Sequence, residues 1–154
     1  MKAVAENLLR MLKENDPKQR EQRDRYLSAA REARNIVAYQ LAHMGLELDE
    51  ALALINEVRH SQKRPDDDWD AETNPSYKDT YAYVLMAKAT EYDGNINYEN
   101  LEKARKLFAD ALATVNEKLK YKGEEIDEND LLGLEASATD ITAHLAQAED
   151  LLKH

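Results

Sequence analysis

The sequence predicts an all-α protein, a single-domain bundle or stack of five to six helices. Apolar residues recur at spacings of three and four along most of the chain, and no segment alternates polar and apolar residues with period two. Only 4 glycines and 3 prolines interrupt the 154 residues, which favours long helices. Since this length is typical of one domain, we predict a single helical domain over residues 1–154.

The first two predicted helices cover residues 2–14 and 17–44. Asp16 predicts the start of the second helix, because aspartate caps helix N-termini and Pro17 suits the first helical position. Gly45 predicts its end, because glycine readily adopts the left-handed conformation that closes a helix. The predicted inward stripe of this helix is Tyr26, Ala29, Ala30, Ala33, Val37, Leu41 and Met44.

The third and fourth predicted helices flank one loop. The third covers about residues 49–62 and ends before Pro65. A loop at residues 65–75 follows, between the N-terminal and C-terminal helical halves, and the fourth helix covers about residues 76–92. The inward residues predicted for these helices are Leu48, Leu52, Ile55, Val58, Tyr77, Tyr81, Val84, Leu85, Ala89 and Tyr92.

The last two predicted helices, at about residues 98–121 and 128–152, show the most regular apolar spacing. Gly123 and the short acidic stretch after it separate them, so we predict an antiparallel helical hairpin. Their apolar stripes are Leu101, Ala104, Phe108, Ala111, Val115 and Leu119, and then Leu131, Leu134, Ala138, Ile141, Leu145, Ala148 and Leu152.

One segment resembles part of a known repeat. Ala104, Phe108, Ala111 and Leu112 have the spacing of the second helix of a tetratricopeptide repeat. The preceding helix lacks the Leu-Gly pair of that repeat, and no second copy appears at a period of 34 residues. Small residues where helices cross explain the same pattern, so no function follows from this resemblance.

Composition excludes several classes of protein. The chain has no cysteine, which excludes disulfide scaffolds, iron–sulfur clusters and thiol nucleophiles. No run approaches the roughly 18 apolar residues of a membrane-spanning helix. Glu6 and Asn7 interrupt the region where a signal peptide would be apolar, so we predict a cytoplasmic protein without membrane contact.

Charge is distributed unevenly along this acidic chain, whose net charge is −10. Residues 1–45 carry a net charge of +3 and residues 123–154 a net charge of −8. Direct nucleic-acid binding is disfavoured, because the net charge opposes contact with phosphates. Four arginines of the second predicted helix fall within about 80° of each other at 100° per residue. They are Arg20, Arg23, Arg31 and Arg34.

Three interpretations of these arginines remain open: a solvated face, ion pairs with the protein's own acidic loop, or a partner site. The loop in question contains Asp66, Asp67, Asp68, Trp69 and Asp70, with the chain's single tryptophan among carboxylates. This tryptophan either folds back on the helices or serves as an aromatic anchor for a basic partner. We include the loop and the four arginines in a predicted protein-binding site.

Motifs for catalysis or cofactors are absent. Glu57 and His60 have the spacing found in di-iron bundles, but no second Glu-x-x-His exists. We therefore predict no cofactor and no metal, and assign ordinary surface or capping roles to all four histidines. Calcium-loop, nucleophile and phosphate-loop patterns also fail. With no catalytic residue identified, we predict that the protein is not an enzyme.

The sequence favours a non-catalytic protein-binding module of the adaptor or scaffold type, with a basic protein as one candidate partner. The first alternative is a small acidic inhibitor of a nucleic-acid enzyme, of the immunity, anti-restriction or anti-CRISPR type, whose carboxylates stand where phosphates would. The second is a helical-bundle metal protein using Glu57 and His60. Homo-oligomers could also form through the last two predicted helices, whose apolar stripes have coiled-coil spacing.

Overall fold

A computed structural model of the chain describes residues 4, 17–63, 67, 69–121 and 126–154. Within these residues the protein forms five α-helices and no strand, which confirms the all-α prediction. The helices are α1 Pro17–Met44, α2 Leu48–Arg59, α3 Pro75–Ala89, α4 Tyr98–Lys120 and α5 Glu128–Lys153. The predicted helix at residues 2–14 lies outside the described residues apart from residue 4, as does Gly123 of the last linker.

Local signals determine the helix ends. α1 has its predicted bounds and is followed by Gly45 at φ +68°, the left-handed conformation that glycine adopts without strain. The side-chain oxygens of Asn74, Asn97 and Asp127 accept backbone N–H groups in the first turns of α3, α4 and α5. Such caps satisfy donors that the helix itself leaves unpaired.

The chain divides into two compact units, Met1–Arg34 and Asn35–His154. In the first unit the structure describes residues 17–34 of α1, where Arg25 forms an ion pair of 2.6 Å with Glu21 one turn earlier. The second unit contains the rest of α1 and the other four helices. The single domain over residues 1–154 stays a prediction.

The core of the second unit forms where α3 packs on α2 and α4, and α4 packs on α5. The stripe predicted for α4 is confirmed, since its first five residues are all fully buried and Leu119 packs against them. Ile141 and Ala148 of α5 are buried as well, with Leu134 and Leu145 against the core. The antiparallel direction of α4 and α5 stays a prediction.

The stripe predicted for α1 is only partly confirmed in the second unit, where Leu41 packs against the core. Val37 is 47% exposed and Met44 57% exposed, whereas Asn35, Ala38 and Ala42 are buried. The inward face therefore carries one amide and small residues beside Leu41, and the predicted stripe coincides with it only in part.

The prediction for the end of α3 also needs correction. α3 ends at Ala89, where the Thr90 hydroxyl donates to the carbonyl groups of Met86 and Ala87. Tyr92 therefore follows the helix and is 68% exposed rather than inward. Tyr77 and Tyr81 are buried as predicted. In the part of the chain that the structure describes, no helix has both the length and the apolar character needed to cross a membrane.

Candidate functional site

The four predicted arginines do not share one environment. Arg20, Arg23 and Arg34 are exposed, but Arg31 is buried, with 7% of its surface exposed. Each of the four has an interaction partner. Arg31 therefore cannot belong to a uniform exposed stripe, which corrects the picture from helical spacing alone. The inclusion of all four arginines in a protein-binding site stays a prediction.

The acidic tryptophan loop is described only in part, because Asp66 and Asp68 lie outside the described residues. Trp69 is half-buried, and the Lys118 ammonium of α4 lies 4.5 Å from the centre of its ring. The Asp70 carbonyl accepts backbone N–H groups from Thr73 and Asn74, which forms the turn that leads into α3. Asp67 is half-buried too. The environment of Trp69 thus resembles the folded-back alternative, while its role in binding stays a prediction.

A group of polar aromatic and charged side chains lies where α1, α3 and α5 meet inside the second unit. We call it the His144 cluster, and it consists of Tyr39, His43, Asp79, Tyr83 and His144. The side chains of His144 and Asp79 are only 12% and 13% exposed. His144 was assigned a surface or capping role from the sequence, and that prediction is wrong because the ring is inside the bundle.

Hydrogen bonds connect the members of the His144 cluster across three helices. Nδ1 of His144 lies 2.9 Å from Oδ1 of Asp79, and its Nε2 lies 3.2 Å from the Tyr39 hydroxyl. An ionised carboxylate only accepts, so Nδ1–H of His144 donates to Asp79 and the Tyr39 hydroxyl can donate to Nε2. Nδ1 of His43 lies 3.2 Å from the Tyr83 hydroxyl.

Ring contacts hold the same side chains together. The Tyr83 ring lies 4.7 Å from His144 and 4.9 Å from Tyr39, measured between ring centres. Phe108 of α4 closes the other side of His144 at 5.6 Å. These separations are typical of attractive aromatic pairs, so the His144 cluster is packed as well as hydrogen-bonded.

Burial changes the acidities in the His144 cluster. Burial raises the pKa of Asp79. The hydrogen bond from His144 and the charge of His144 act in the opposite direction, but the pKa of Asp79 is still raised overall. Burial and the nearby carboxylate of Asp79 also raise the pKa values of Tyr39 and Tyr83. Both phenols therefore stay protonated at neutral pH, so each hydroxyl can donate or accept a hydrogen bond.

The hydroxyl–imidazole–carboxylate order of Tyr39, His144 and Asp79 has the form of a catalytic triad. Burial raises the pKa of Tyr39, and its hydroxyl lies 3.2 Å from Nε2 of His144. This arrangement can hold and orient groups through hydrogen bonds.

Sequence reasoning missed this cluster because it searched for apolar stripes and known motifs. One signal was present: polar residues and aromatic rings at spacing four, which lie on one face of a helix. Tyr39 and His43 form such a pair on α1, and Asp79 and Tyr83 form another on α3. Asp79 and His144 are 65 residues apart, and spacing within a helix does not predict which faces meet.

An open pocket of about 350 Å³ adjoins the His144 cluster, and we call it the His43 pocket. His43 and Tyr83 belong to both the cluster and the pocket wall. The remaining lining residues come from the end of α1, the start of α2, α3 with the residues after it, and α5. They are Ala42, Met44, Gly45, Leu48, Met86, Ala87, Thr90, Glu91, Gln147 and Leu151.

The surface of α5 and its cap is strongly acidic. Seven carboxylates and one lysine occur in residues 126–154, and all seven carboxylates are exposed. We call them the α5 carboxylates: Asp127, Glu128, Asp130, Glu135, Asp140, Glu149 and Asp150. Leu132 lies within about 60° of Glu128 and Glu135 at 100° per residue, and is 58% exposed.

The residues considered for metal binding do not come together as a ligand set. Nε2 of His60 lies 3.8 Å from a Glu72 oxygen, and both side chains are 64% exposed. In the described part of the chain, no group of three or more histidine and carboxylate side chains is placed to hold a metal ion.

Comparison of the chain with protein-family models, with curated proteins and with solved structures finds no match.

Proposed function

We propose that this protein is a non-catalytic binding module of the adaptor or scaffold type that docks a basic protein on the outer surface of α5. The observation that carries the proposal is the set of α5 carboxylates, seven exposed acids with a single lysine among them. Such a surface attracts a basic partner over a distance of about 10 Å at moderate salt and raises the rate of encounter.

Docking also needs contacts that hold the partner after encounter. Leu132 supplies an exposed apolar point between Glu128 and Glu135 on one face of the helix. An apolar contact with a charged rim is the usual arrangement of a protein interface. The buried residues of α5, including Ile141 and Ala148, fix the helix against α4 and give the surface a rigid support.

The acidic tryptophan loop remains part of this proposal with a smaller role. Since Lys118 lies over the Trp69 ring, a partner would have to displace that lysine before the ring could serve as an anchor. We therefore place the main contact on α5. A cytoplasmic location and the possibility of homo-oligomers belong to the proposal as well.

The test compares two variants with the same loss of charge. One carries Glu128→Gln, Glu135→Gln and Glu149→Gln on α5. The matched control carries Glu50→Gln, Glu99→Gln and Glu117→Gln, three exposed glutamates of α2 and α4. A partner is first captured from nuclease-treated lysate of the native source at low salt, and its dissociation constant is then measured with each purified variant.

We expect the α5 variant to weaken binding about tenfold, since exposed charge pairs contribute up to about 1 kcal/mol each. The control variant should change the dissociation constant less than about twofold if position matters beyond net charge. Equal weakening by both variants would show that only net charge matters, and no weakening by either would contradict the proposed surface.

The acidic inhibitor of a nucleic-acid enzyme is a narrower form of the same proposal. The α5 carboxylates support it, because they extend along one helix as phosphates extend along a strand. A double-stranded oligonucleotide that competes for the captured partner, with competition that weakens steeply as salt rises, would favour the inhibitor over an adaptor.

A further inference from the structure

The His43 pocket has the dimensions of a small-ligand site. Its volume of about 350 Å³ lies within the range of ligand pockets in proteins. Two of its polar groups are held in place from behind, because the His43 ring bonds the Tyr83 hydroxyl and the Tyr83 ring packs on His144. Polar groups fixed in this way can define the orientation of a ligand.

The charges around the His43 pocket favour a cation. Glu91 is the one acidic residue among the described residues that line the pocket, and no lysine or arginine is found among them. Lys88, three residues earlier, forms its ion pair with Asp49. Behind the wall, the Asp79 carboxylate acts on Tyr83, so the interior side is acidic too.

Apolar side chains share the rest of the lining with the polar Thr90 and Gln147. Leu48, Met86 and Leu151 come from three different helices, and Met44 lies at the end of α1. Methionine side chains adjust to ligands of irregular shape because they are unbranched and polarisable. A matching ligand therefore has one positive group and an apolar body.

We propose that the His43 pocket binds a small organic amine, with its ammonium group at Glu91 and the Tyr83 hydroxyl and its apolar body against Met86 and Leu151. This proposal does not depend on the protein-binding function, because its ammonium contacts, Glu91 and Tyr83, do not belong to the α5 carboxylates.

The test measures backbone amide shifts by NMR while one of three probes of similar shape is added to the full-length protein. The probes are 2-phenylethylamine, the neutral 2-phenylethanol and the anionic 3-phenylpropionate. We expect saturable shifts for the amine in residues 42–48 and 83–91, which line the pocket, weaker binding of the alcohol, and no binding of the anion.

The test variants change exposed residues, so a loss of binding is not caused by a loss of folding. Glu91→Gln should weaken amine binding about tenfold and leave alcohol binding unchanged, because it removes only a charge-assisted contact. Glu99→Gln is the matched control and should change neither. Gln147→Trp, which adds a large side chain to the pocket wall, should abolish binding of both probes.

Two results would overturn the proposal. The first is amine shifts that fail to saturate or that centre on residues 127–135 or 149–150, which would show general attraction to the α5 carboxylates. The second is equal amine affinity in the Glu91→Gln and Glu99→Gln variants.

Discussion

Two contact regions inside the unit Asn35–His154 are built on different principles. α4 packs on α5, and the buried residues of these two helices are apolar, with Phe108, Leu101 and Ile141 the largest. Where α1 meets α3 and α5, the His144 cluster supplies hydrogen bonds and stacked rings instead. The apolar region gains stability from buried area, whereas the polar region depends on each group keeping its partner.

The largest effect should come from removing one partner in the polar region. His144→Ala leaves the Asp79 carboxylate buried without its donor and removes three ring contacts. We expect the free energy of unfolding to fall by about 3 kcal/mol or more, as when buried charge pairs are broken. Urea denaturation followed by circular dichroism measures this change.

Two further variants show whether the loss of stability comes from the contact between His144 and Asp79. His154→Ala changes a histidine whose side chain is 78% exposed, and should alter stability by less than about 0.5 kcal/mol. Adding Asp79→Ala to His144→Ala should cost less than the sum of the single changes, because the unpaired carboxylate is removed. Full additivity would mean that the two side chains act independently.

The second comparison makes the same substitution, valine to alanine, at one buried and one exposed position. Val115→Ala removes a fully buried side chain from α4, whereas Val37→Ala changes a residue of α1 that is 47% exposed. We expect losses of about 2 kcal/mol for Val115→Ala and less than about 0.5 kcal/mol for Val37→Ala. A loss of about 2 kcal/mol at Val37 would show that the stripe predicted from the sequence is buried in solution.

The same comparison shows which features of the structure could be predicted from the sequence. The bounds of α1 follow from Pro17 and Gly45, and the core face of α4 follows from spacing, because both signals act within one helix. The partners of His144 and of Trp69 could not be predicted in this way. Asp79 and Lys118 lie far from them in sequence, and only helix packing brings each pair together.

The two candidate sites differ in the same way, since one could be predicted from the sequence and the other could not. The α5 carboxylates could be foreseen from the charge of residues 123–154, since charged residues rarely become buried. The His43 pocket could not, because its lining is assembled from four helices and the residues between them. The burial of Arg31 is a further case, because helical spacing placed it beside three arginines that are exposed.

The smallest expected effect is a change of the free energy of unfolding with pH. It tests the polar region without removing the hydrogen bond between residue 79 and His144. Asp79→Asn keeps an oxygen that can accept Nδ1–H of His144 but removes the titrating carboxyl group. Burial raises the pKa of Asp79 in the folded protein above the ordinary value of 3.8. The folded state therefore binds this proton more tightly than the unfolded chain does.

By linkage, the contribution of Asp79 to stability is fully present below pH 3.8 and is lost as the pH rises through the raised pKa. The free energy of unfolding of the wild-type protein should thus decrease relative to that of Asp79→Asn as the pH rises from 3.8. Urea titrations of both proteins between about pH 3 and pH 7 measure the difference directly. If the wild type instead becomes more stable relative to Asp79→Asn as the pH rises, the charge of His144 outweighs the effect of burial on Asp79. The His144 cluster would then act as a stabilising ion pair.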